Sequence, residues 1–258
     1  MSLNILVCIK SVVLDAPDGR VVRLPETCAL NPFDRPALEM ALGLREERGG
    51  EITALSMGPE AGALALYEAL SMGADRALLI SDPSLAGSDT LVTSTVLGTA
   101  ITRLGPFDLL LFGMRTSDSD TGQVGPQVSV LLDLPLVTGA YSIEHSDYNL
   151  LVERRADEFI EKYEVDLPCV LTVHPAAAQG SDSALSGIEE AFGKESIKRI
   201  ALNDLRISSD RVGEKGSPTR LVSMNRIRRK RKCDFLTGSV EEQADELVRR
   251  LKESGLIG

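Results

Sequence analysis

The chain has 258 residues and a formal net charge of −10, and 43% of its residues are hydrophobic. This composition suits a globular protein with one large core, and the acidic balance argues against general nucleic-acid binding, which needs a basic face. No apolar run is long enough to cross a bilayer, and the N-terminus lacks the basic-then-apolar pattern of an export signal. We therefore expect a cytoplasmic protein without membrane insertion.

Cysteine and histidine are too scattered in the sequence to predict a metal site. Four cysteines form no CxxC pair, so reduced thiols buried as small apolar groups are the simpler interpretation: Cys8, Cys28, Cys169 and Cys233. His145 and His174 lack a neighbouring ligand pattern, and structural or surface roles are favoured over metal binding or base catalysis.

The first half of the chain alternates strand signals with helix signals. Apolar runs predict strands at 3–9, 52–57, 77–80 and 109–112, and helix signals follow them at about 34–49, 59–72, 89–104 and 121–132. Asp34 stands at a cap position ahead of Pro36, and Ser88 or Asp89 stands at another. Asp15–Pro32 is turn-rich and predicts an excursion that could include a hairpin. Four strand–helix pairs in succession predict an α/β fold with a parallel sheet covered on both faces.

The stretch from Gly113 to Gln127, GMRTSDSDTGQVGPQ, connects the fourth strand to the fourth helix. Glycines at 122 and 125 would let a ligand approach the backbone, and free amides at a helix N-terminus attract anions. The loop matches neither the Walker pattern nor GxGxxG, and a helix cap without a ligand would look much the same. Four hydroxyl side chains lie in it: Thr116, Ser117, Ser119 and Thr121.

Three loops should meet at one edge of the predicted sheet. In an open parallel sheet, ligands bind outside the carboxyl ends of the strands, near the point where the strand order reverses. Cys8–Lys10, Ser56–Gly58 and Gly113–Gln123 each follow a predicted strand. Their convergence predicts a cleft of nucleotide size.

After Leu134 the pattern favours antiparallel strands, at 137–144, 149–155 and 158–166. The carboxylates of this region are most simply a solvated face of a hairpin rather than a catalytic pair. One more apolar strand is predicted at 168–173. A polar surface loop from Ala176 to Ser186 then leads into a helix around Gly187–Gly193.

The C-terminal part departs from the globular pattern from about Ser208 onward. The very basic run 220–232 could contact a nucleic acid or an anionic surface, and an acidic surface of a partner protein is the favoured interpretation. A helix is then predicted by a capping box at Ser239 and Glu242, with Gly255 at its end. Its apolar stripe needs another surface, which a different chain could supply: Val240, Ala244, Leu247, Val248 and Leu251.

Motifs along nearly the whole chain resemble the beta subunits of electron transfer flavoproteins, which include the FixA-type proteins. In order they are ILVCIK, NPFD with ALEMAL, LSMGP, MGADRALLISD, AGSDTL, FDLLLFG, TSDSDTGQVGPQ, LPLVT, YEVDLPCVLTV, GSPTR and the C-terminal helix. Each motif alone is weak, whereas this order and spacing are specific to the family.

The resemblance implies an adenine-nucleotide-binding, Rossmann-like (HUP-type) α/β domain at residues 1–205, with an antiparallel hairpin addition. Residues 206–258 would form an extended arm and an amphipathic helix that pack on a partner subunit. That partner would be the electron transfer flavoprotein alpha subunit, which holds most of the electron-carrying FAD. The cleft of this chain would hold AMP or a second FAD, and no catalytic residue is implied, because electron transfer between flavins needs no nucleophile or general base.

The family's nucleotide contacts map by motif position onto the predicted strand ends and the loop. By this correspondence the cofactor-binding residues would be Cys8, Asn31, Pro32, Phe33, Asp34, Met57, Gly113, Arg115, Thr116, Ser117, Asp118, Ser119, Asp120, Thr121, Gly122, Gln123 and Val124.

The chain departs from the family pattern at three places. Met114 occupies the position after the loop glycine where a basic residue is usual, so the basic contact is either shifted to Arg115 or lost. SVVLDA replaces a KQVPD-like segment, which leaves any flavin contact from Ser11–Asp15 open. Ala178–Asp182 replaces the usual Asn-x-Pro-Arg-Tyr run, although Leu185 falls where the family presents its docking leucine to a dehydrogenase. We expect Leu185 to be exposed and to make a small, transient contact with a dehydrogenase. An acyl-CoA dehydrogenase-like partner is favoured, although the replaced docking run means that the partner need not be the usual one.

Two questions stay open at this point. The first is whether the cleft holds AMP or a second FAD. The sequence DTGQVGPQ is closer to those of anaerobic and bifurcating relatives, yet AMP and the AMP half of FAD make the same demands on the loop. A stand-alone ATP-binding protein of the universal-stress type is the alternative function. The basic arm and the tail helix argue against it, because a self-contained domain would not need them.

Overall fold

The computed structural model describes residues 2–13, 24–145, 149–178, 185–193, 197–220, 222–223 and 233–257. The chain divides into two compact units, Met1–Val222 and Ser223–Gly258. The first unit therefore continues past residue 205, where the sequence suggested a boundary.

Within the described residues, nine strands of the first unit form one sheet in the order β11-β5-β4-β1-β6-β10-β7-β8-β9, and β2 and β3 form a separate antiparallel pair. The strands are β1 (Leu3–Cys8), β2 (Ser11–Val13), β3 (Cys28–Leu30), β4 (Gly50–Met57), β5 (Arg76–Ile80), β6 (Leu109–Gly113), β7 (Leu136–His145), β8 (Asn149–Ala156), β9 (Phe159–Asp166), β10 (Cys169–Val173) and β11 (Ile197–Ile200).

Helices cover both faces of the sheet, as the strand–helix alternation predicted. The helices of the first unit are α1 (Arg35–Arg48), α2 (Ala63–Met72), α3 (Thr90–Leu104), α4 (Val124–Leu132), α5 (Leu185–Gly193) and α6 (Gly213–Gly216). The second unit contains α7 (Val240–Glu253). The central strand β1 supplies both cores, since Ile5 and Val7 pack with α1 and α2, while Leu6 and Cys8 pack with α3 and α4. Burial on both faces explains the continuous apolar run that this strand shows in the sequence.

The predicted strands and helices are confirmed, with differences at their ends. The helix predicted from about Thr121 begins only at Val124, because Asp120 and Gly122 have φ angles of 52° and 61°, which no right-handed helix accepts. The helix predicted from about Pro59 begins at Ala63, after a short 3-10 turn at Glu60–Gly62.

The antiparallel addition predicted after Leu134 is also confirmed. β8 pairs antiparallel with β7 and with β9, while β7 joins the main sheet through parallel pairing with β10. Of the turn-rich excursion, the described part contains the β2–β3 pair, and the Asp18-Gly19 turn lies outside the described residues. Strand β11 was not predicted, because only two of its four residues, Ile197 and Ile200, are apolar.

Residues 207–219 belong to the first unit because they are bonded to the start of α3. Asp89 caps α3 by accepting a hydrogen bond from the amide of Val92 (3.0 Å), and its carboxylate also accepts one from the amide of Thr219 (3.0 Å). The hydroxyl of Ser217 accepts a hydrogen bond from the Asp89 amide (2.9 Å), and Val212 is buried. The side chain of Asp89 thus bonds both to the first turn of α3 and to Thr219, which is 130 residues later in the sequence.

The second unit contains the predicted C-terminal helix with both of its caps. Ser239 and Glu242 form the reciprocal capping box. Gly255 has a φ of 71°, and the amides of Gly255 and Leu256 donate hydrogen bonds to the carbonyls of Lys252 and Leu251. These two bonds are those of a Schellman motif, so both ends of α7 are specified locally.

The apolar stripe of α7 is left uncovered in the single chain. None of the helix's residues is buried, and Val240, Leu247 and Val248 have exposed fractions of 84%, 48% and 45%.

The basic run that precedes α7 lies outside the described residues between 224 and 232. None of the helices in the described ranges combines the length and the hydropathy needed to cross a bilayer.

Candidate functional site

The order of the strands reverses between β1 and β6. From β1 the chain adds β4 and β5 on one side, then returns to place β6 on the other side of β1. Cys8, at the end of β1, lies opposite Leu55 of β4 and Phe112 of β6, so the three predicted loops do leave the sheet at the same edge. This is the position at which open α/β sheets bind ligands.

Two buried polar side chains, Asn31 and Asp34, tie the end of β1 to the loop after β6; we call them the Asn31–Asp34 clamp. The amide of Lys10 donates to Asp34 Oδ2 (2.7 Å), and its carbonyl accepts from the amide of Asn31 (2.9 Å). Asn31 Nδ2 donates to the carbonyl of Arg115 (2.9 Å), and Asn31 Oδ1 accepts from the amide of Ser117 (3.2 Å). One asparagine and one aspartate therefore fix two loops that are far apart in sequence.

Gly113 permits the close approach on which the clamp depends. A Cβ at this position would overlap Asp34 Oδ1 and would lie 2.5 Å from the carbonyl oxygen of Phe33. No side chain fits there, so the glycine is required by the packing of β6 against the start of α1 rather than by a left-handed backbone.

The carboxyl of Asp34 bonds to the backbone of Lys10 instead of capping α1, which is the role that its position suggested. Asp34 precedes α1 as its N-cap residue, but its side chain makes no capping hydrogen bond because it is engaged with Lys10. Burial raises the pKa of this carboxyl from 3.8 to about 7, against the hydrogen bonds from the Lys10 amide and the Asn31 side chain and the charge of Lys10. The prediction of Asp34 as a capping side chain is therefore wrong.

The loop itself is closed by a backbone hydrogen bond, by its own side chains and by Lys10, which lies two residues after the end of β1. The amide of Asp120 donates to the carbonyl of Thr116 (3.0 Å), and the hydroxyls of Thr116 and Ser119 are 2.8 Å apart. Lys10 Nζ lies 2.8 Å from Asp118 Oδ1 and 3.4 Å from Ser119 Oγ. Lys10 was absent from the predicted site residues, although its place directly after β1, at the predicted reversal point, was a usable signal.

The N-terminus of α4 offers backbone amides to a ligand. Gln123 precedes the helix without capping it, because its side-chain oxygen accepts a hydrogen bond from the hydroxyl of Thr90 (3.0 Å). In the part of the chain that the structure describes, the amides of Val124 and Gly125 have no hydrogen-bond acceptor. Such amides at a helix N-terminus suit an anionic group.

The basic residue of the loop is Arg115, whose guanidinium stacks on Phe33 at 4.6 Å from the ring centre. It also pairs with Asp120 at 3.4 Å. Met114, in the family's usual basic position, has an exposed fraction of 39%. A cation is thus retained one residue later, and its contact with a ligand stays a prediction.

The remaining predicted residues divide by exposure. Cys8 is buried and burial, followed by the charge of Asp34, raises its pKa well above the ordinary value, so the thiol is not a reactive group. Met57 is half-buried at the end of β4. Three residues that follow the loop's turn are exposed at the surface, as is Pro32: Thr121, Gly122 and Gln123.

Leu185 lies apart from this site, at the start of α5, and its side chain has an exposed fraction of 81%. It is as exposed as we expected, and its docking role stays a prediction. Of the segment Ala178–Asp182 that replaces the family's docking run, only Ala178 is among the described residues. Phe192, near the other end of α5, stacks on Tyr67 of α2 at 4.6 Å between ring centres.

The donor set at the sheet edge fits the phosphate of a nucleotide. It combines α4 amides without an acceptor, hydroxyl groups, and Gly122, whose φ of 61° is a left-handed conformation that favours glycine. Within the described ranges, no three or more His, Cys, Asp or Glu residues are grouped so as to hold a metal ion. An anionic organic ligand is the class of molecule that this arrangement suits.

Comparison with known proteins places the chain among electron-transfer proteins. Residues 20–205 match the family model described as the electron transfer flavoprotein domain. The electron transfer flavoprotein subunit beta of Thermoanaerobacterium thermosaccharolyticum is 37% identical, over 99% of this chain and 100% of its own. The caffeyl-CoA reductase-Etf complex subunit CarD of Acetobacterium woodii is 35% identical, over 99% and 100%. Protein FixA of Bradyrhizobium diazoefficiens is 35% identical, over 94% and 89%.

Replacing Asp34 by Asn should change how stability depends on pH. Because the folded-state pKa is raised to about 7 from 3.8, the native protein binds the extra proton between these values and its stability falls as pH rises through that window. The unfolding free energy of the unaltered protein, relative to Asp34→Asn, should fall by up to about 1.4 kcal/mol per pH unit there. Urea unfolding over the pH range measures this, and Asp166→Asn, at an exposed position of β9, is the control substitution. A difference that is constant with pH would contradict the assignment.

Replacing Gly113 by Ala should destabilise the protein, because the added Cβ meets Asp34 and the backbone of Phe33. We expect a loss of about 2 kcal/mol or more in the free energy of unfolding. The matched control is Gly43→Ala in α1, where nothing lies within 4 Å and the helical alanine should stabilise by about 0.5–1 kcal/mol. Equal effects of the two substitutions in thermal or urea unfolding would show that the close approach at Gly113 does not exist.

Proposed function

The chain belongs to the electron transfer flavoprotein family, as a beta subunit of the FixA type, and on that premise we propose that it binds an adenine nucleotide at the carboxyl edge of its sheet. In a heterodimer with an alpha subunit it would carry electrons from a dehydrogenase to an acceptor. The observation that carries the proposal is the pair of α4 amides, at Val124 and Gly125, that face no acceptor at the switch point of the sheet.

The phosphate would be held by these amides together with the hydroxyl of Thr121. Thr116 and Ser119 bond to one another, whereas Thr121 is exposed and makes no hydrogen bond within the described residues. The backbone near Cys8 and Met57 would border the adenine, since both strands end beside the loop. The remaining family contacts, at 31–34 and at 113–124, would line the rest of this nucleotide site, which we call the seat.

Bound FAD supplies one-electron chemistry, and this chain's residues have binding and orienting roles toward it. Asn31 and Asp34 fix the geometry of the seat, and the half-buried Met57 helps to exclude water. The seat takes AMP or the AMP half of a second FAD with the same contacts. Two relatives are named as subunits of reductase systems, for acryloyl-CoA and caffeyl-CoA, which is the setting in which a second flavin would be useful.

Two exposed apolar features support a role in a complex. The α7 stripe needs a protein surface to cover it, and the electron transfer flavoprotein alpha subunit is the partner we propose. Leu185 is an exposed leucine on the first unit and would make the smaller contact with an acyl-CoA dehydrogenase-like protein.

Co-expression with the alpha subunit tests the proposal. We expect a stable yellow heterodimer that contains FAD and transfers electrons from a dehydrogenase to an acceptor dye. A colourless homodimer that hydrolyses ATP would contradict it and would support a stand-alone ATP-binding protein.

Thr121→Ala should weaken nucleotide binding by the full-length chain. Loss of one hydrogen bond to a charged phosphate is expected to lower AMP affinity about tenfold, or about 1.4 kcal/mol. The control is Thr95→Ala on α3, whose exposed hydroxyl donates a hydrogen bond to the carbonyl of Leu91 (2.8 Å). Titration calorimetry with AMP measures both variants, and unchanged affinity in Thr121→Ala would remove this hydroxyl from the site.

A further inference from the structure

Lys10 is held in place before any ligand arrives. Its amide and its carbonyl are both engaged by the Asn31–Asp34 clamp, at 2.7 and 2.9 Å. The side chain leaves this fixed backbone toward the loop after β6 and brings Nζ within 2.8 Å of Asp118 Oδ1. An ammonium group on a long flexible side chain is thereby directed at one carboxylate, 108 residues later in the sequence.

The loop carries negative charge that would oppose the binding of a phosphate. Asp118 and Asp120 both lie within it, and each carboxylate would repel an incoming anion. Burial opposes ionisation of Asp118, but hydrogen bonding and charge from Lys10, with hydrogen bonds from Thr116 and Ser119, leave its pKa below the ordinary value. Asp118 is therefore charged at neutral pH and must be neutralised by a cation.

The two carboxylates of the loop are neutralised to different degrees. Arg115 and Asp120 are 3.4 Å apart, with side chains 49% and 61% exposed, so solvent screens that pair strongly. The side chains of Lys10 and Asp118 are only 34% and 21% exposed. The Lys10–Asp118 pair is less screened, and breaking it would leave a partly buried negative charge next to Ser119.

We infer that Lys10 is a positioning residue of the nucleotide site, which acts through Asp118: it neutralises this carboxylate, orders the loop and so lets the phosphate of an adenine nucleotide enter. The inference rests on the proposed nucleotide-binding function and adds to it a residue outside the loop. It also states how Lys10 acts, since a lysine that bonded the phosphate directly would not need Asp118.

A double-mutant cycle on the full-length chain separates these roles. Calorimetry with AMP and with adenosine, which lacks the phosphate, is carried out on the unaltered chain, Lys10→Met, Asp118→Asn and the double variant. The control is Lys198→Met, at an exposed position of β11 on the far edge of the sheet. Lys10→Arg keeps the charge and serves as the rescue variant should Lys10→Met fold poorly.

We expect Lys10→Met to weaken AMP binding about tenfold while adenosine binding and the Lys198→Met control stay unchanged. In the Asp118→Asn background the lysine substitution should have an effect of less than about twofold. Lys10→Arg should keep most of the affinity for AMP.

Three results would overturn the inference while leaving the proposed function intact. The first is AMP affinity that Lys10→Met does not change. The second is an equal loss with and without Asp118, which would make Lys10 a direct phosphate ligand. The third is an equal loss of AMP and adenosine affinity, which would make its role purely structural. Absence of AMP binding by the unaltered chain is a separate outcome and would overturn both the inference and nucleotide binding itself.

Discussion

The buried hydrogen bonds of Asn31 and Asp34 are the constraint on which the candidate site depends. Both side chains are almost fully buried, at 0% and 4% exposure, and a buried polar group is costly unless it is bonded. Their partners are backbone groups of Lys10, Arg115 and Ser117, so satisfying the clamp forces the ends of β1 and β6 into one geometry. If only some of these hydrogen bonds formed, the buried polar groups left unpaired would make the protein less stable than an apolar core in the same place would.

The other features of the site follow from that constraint. Gly113 is needed because β6 comes close to the clamp, and Lys10 is aimed at Asp118 because the clamp fixes its backbone. The loop then turns back through positive φ angles at Asp120 and Gly122, which delays the start of α4 to Val124 and leaves the first amides of the helix without partners. The site is thus built from rigid strand ends, with its chemistry supplied by backbone amides.

Local signals predicted what is local in this fold. The apolar runs gave the central strands, and the capping box of α7 formed at the two residues that the sequence indicated. Pairings between residues 24 to 108 positions apart leave no local pattern, as with Asp34 and the Lys10 amide, Asn31 and Arg115, or Lys10 and Asp118. The direction of the Asp34 side chain was therefore mistaken, and Lys10 was placed in one of the three loops but not among the site residues. Strand β11 was missed for the same reason, because it is stabilised by pairing with β5, about 120 residues earlier in the sequence, rather than by its own four residues.

The most direct test of the account is a crystal structure of the full-length chain with AMP. We expect electron density for the phosphate within hydrogen-bonding distance of the Val124 and Gly125 amides, with the adenine between the ends of β1 and β4 and the Asn31–Asp34 clamp unchanged. Density for AMP at the opposite edge of the sheet, or at a surface remote from the loop after β6, would contradict it.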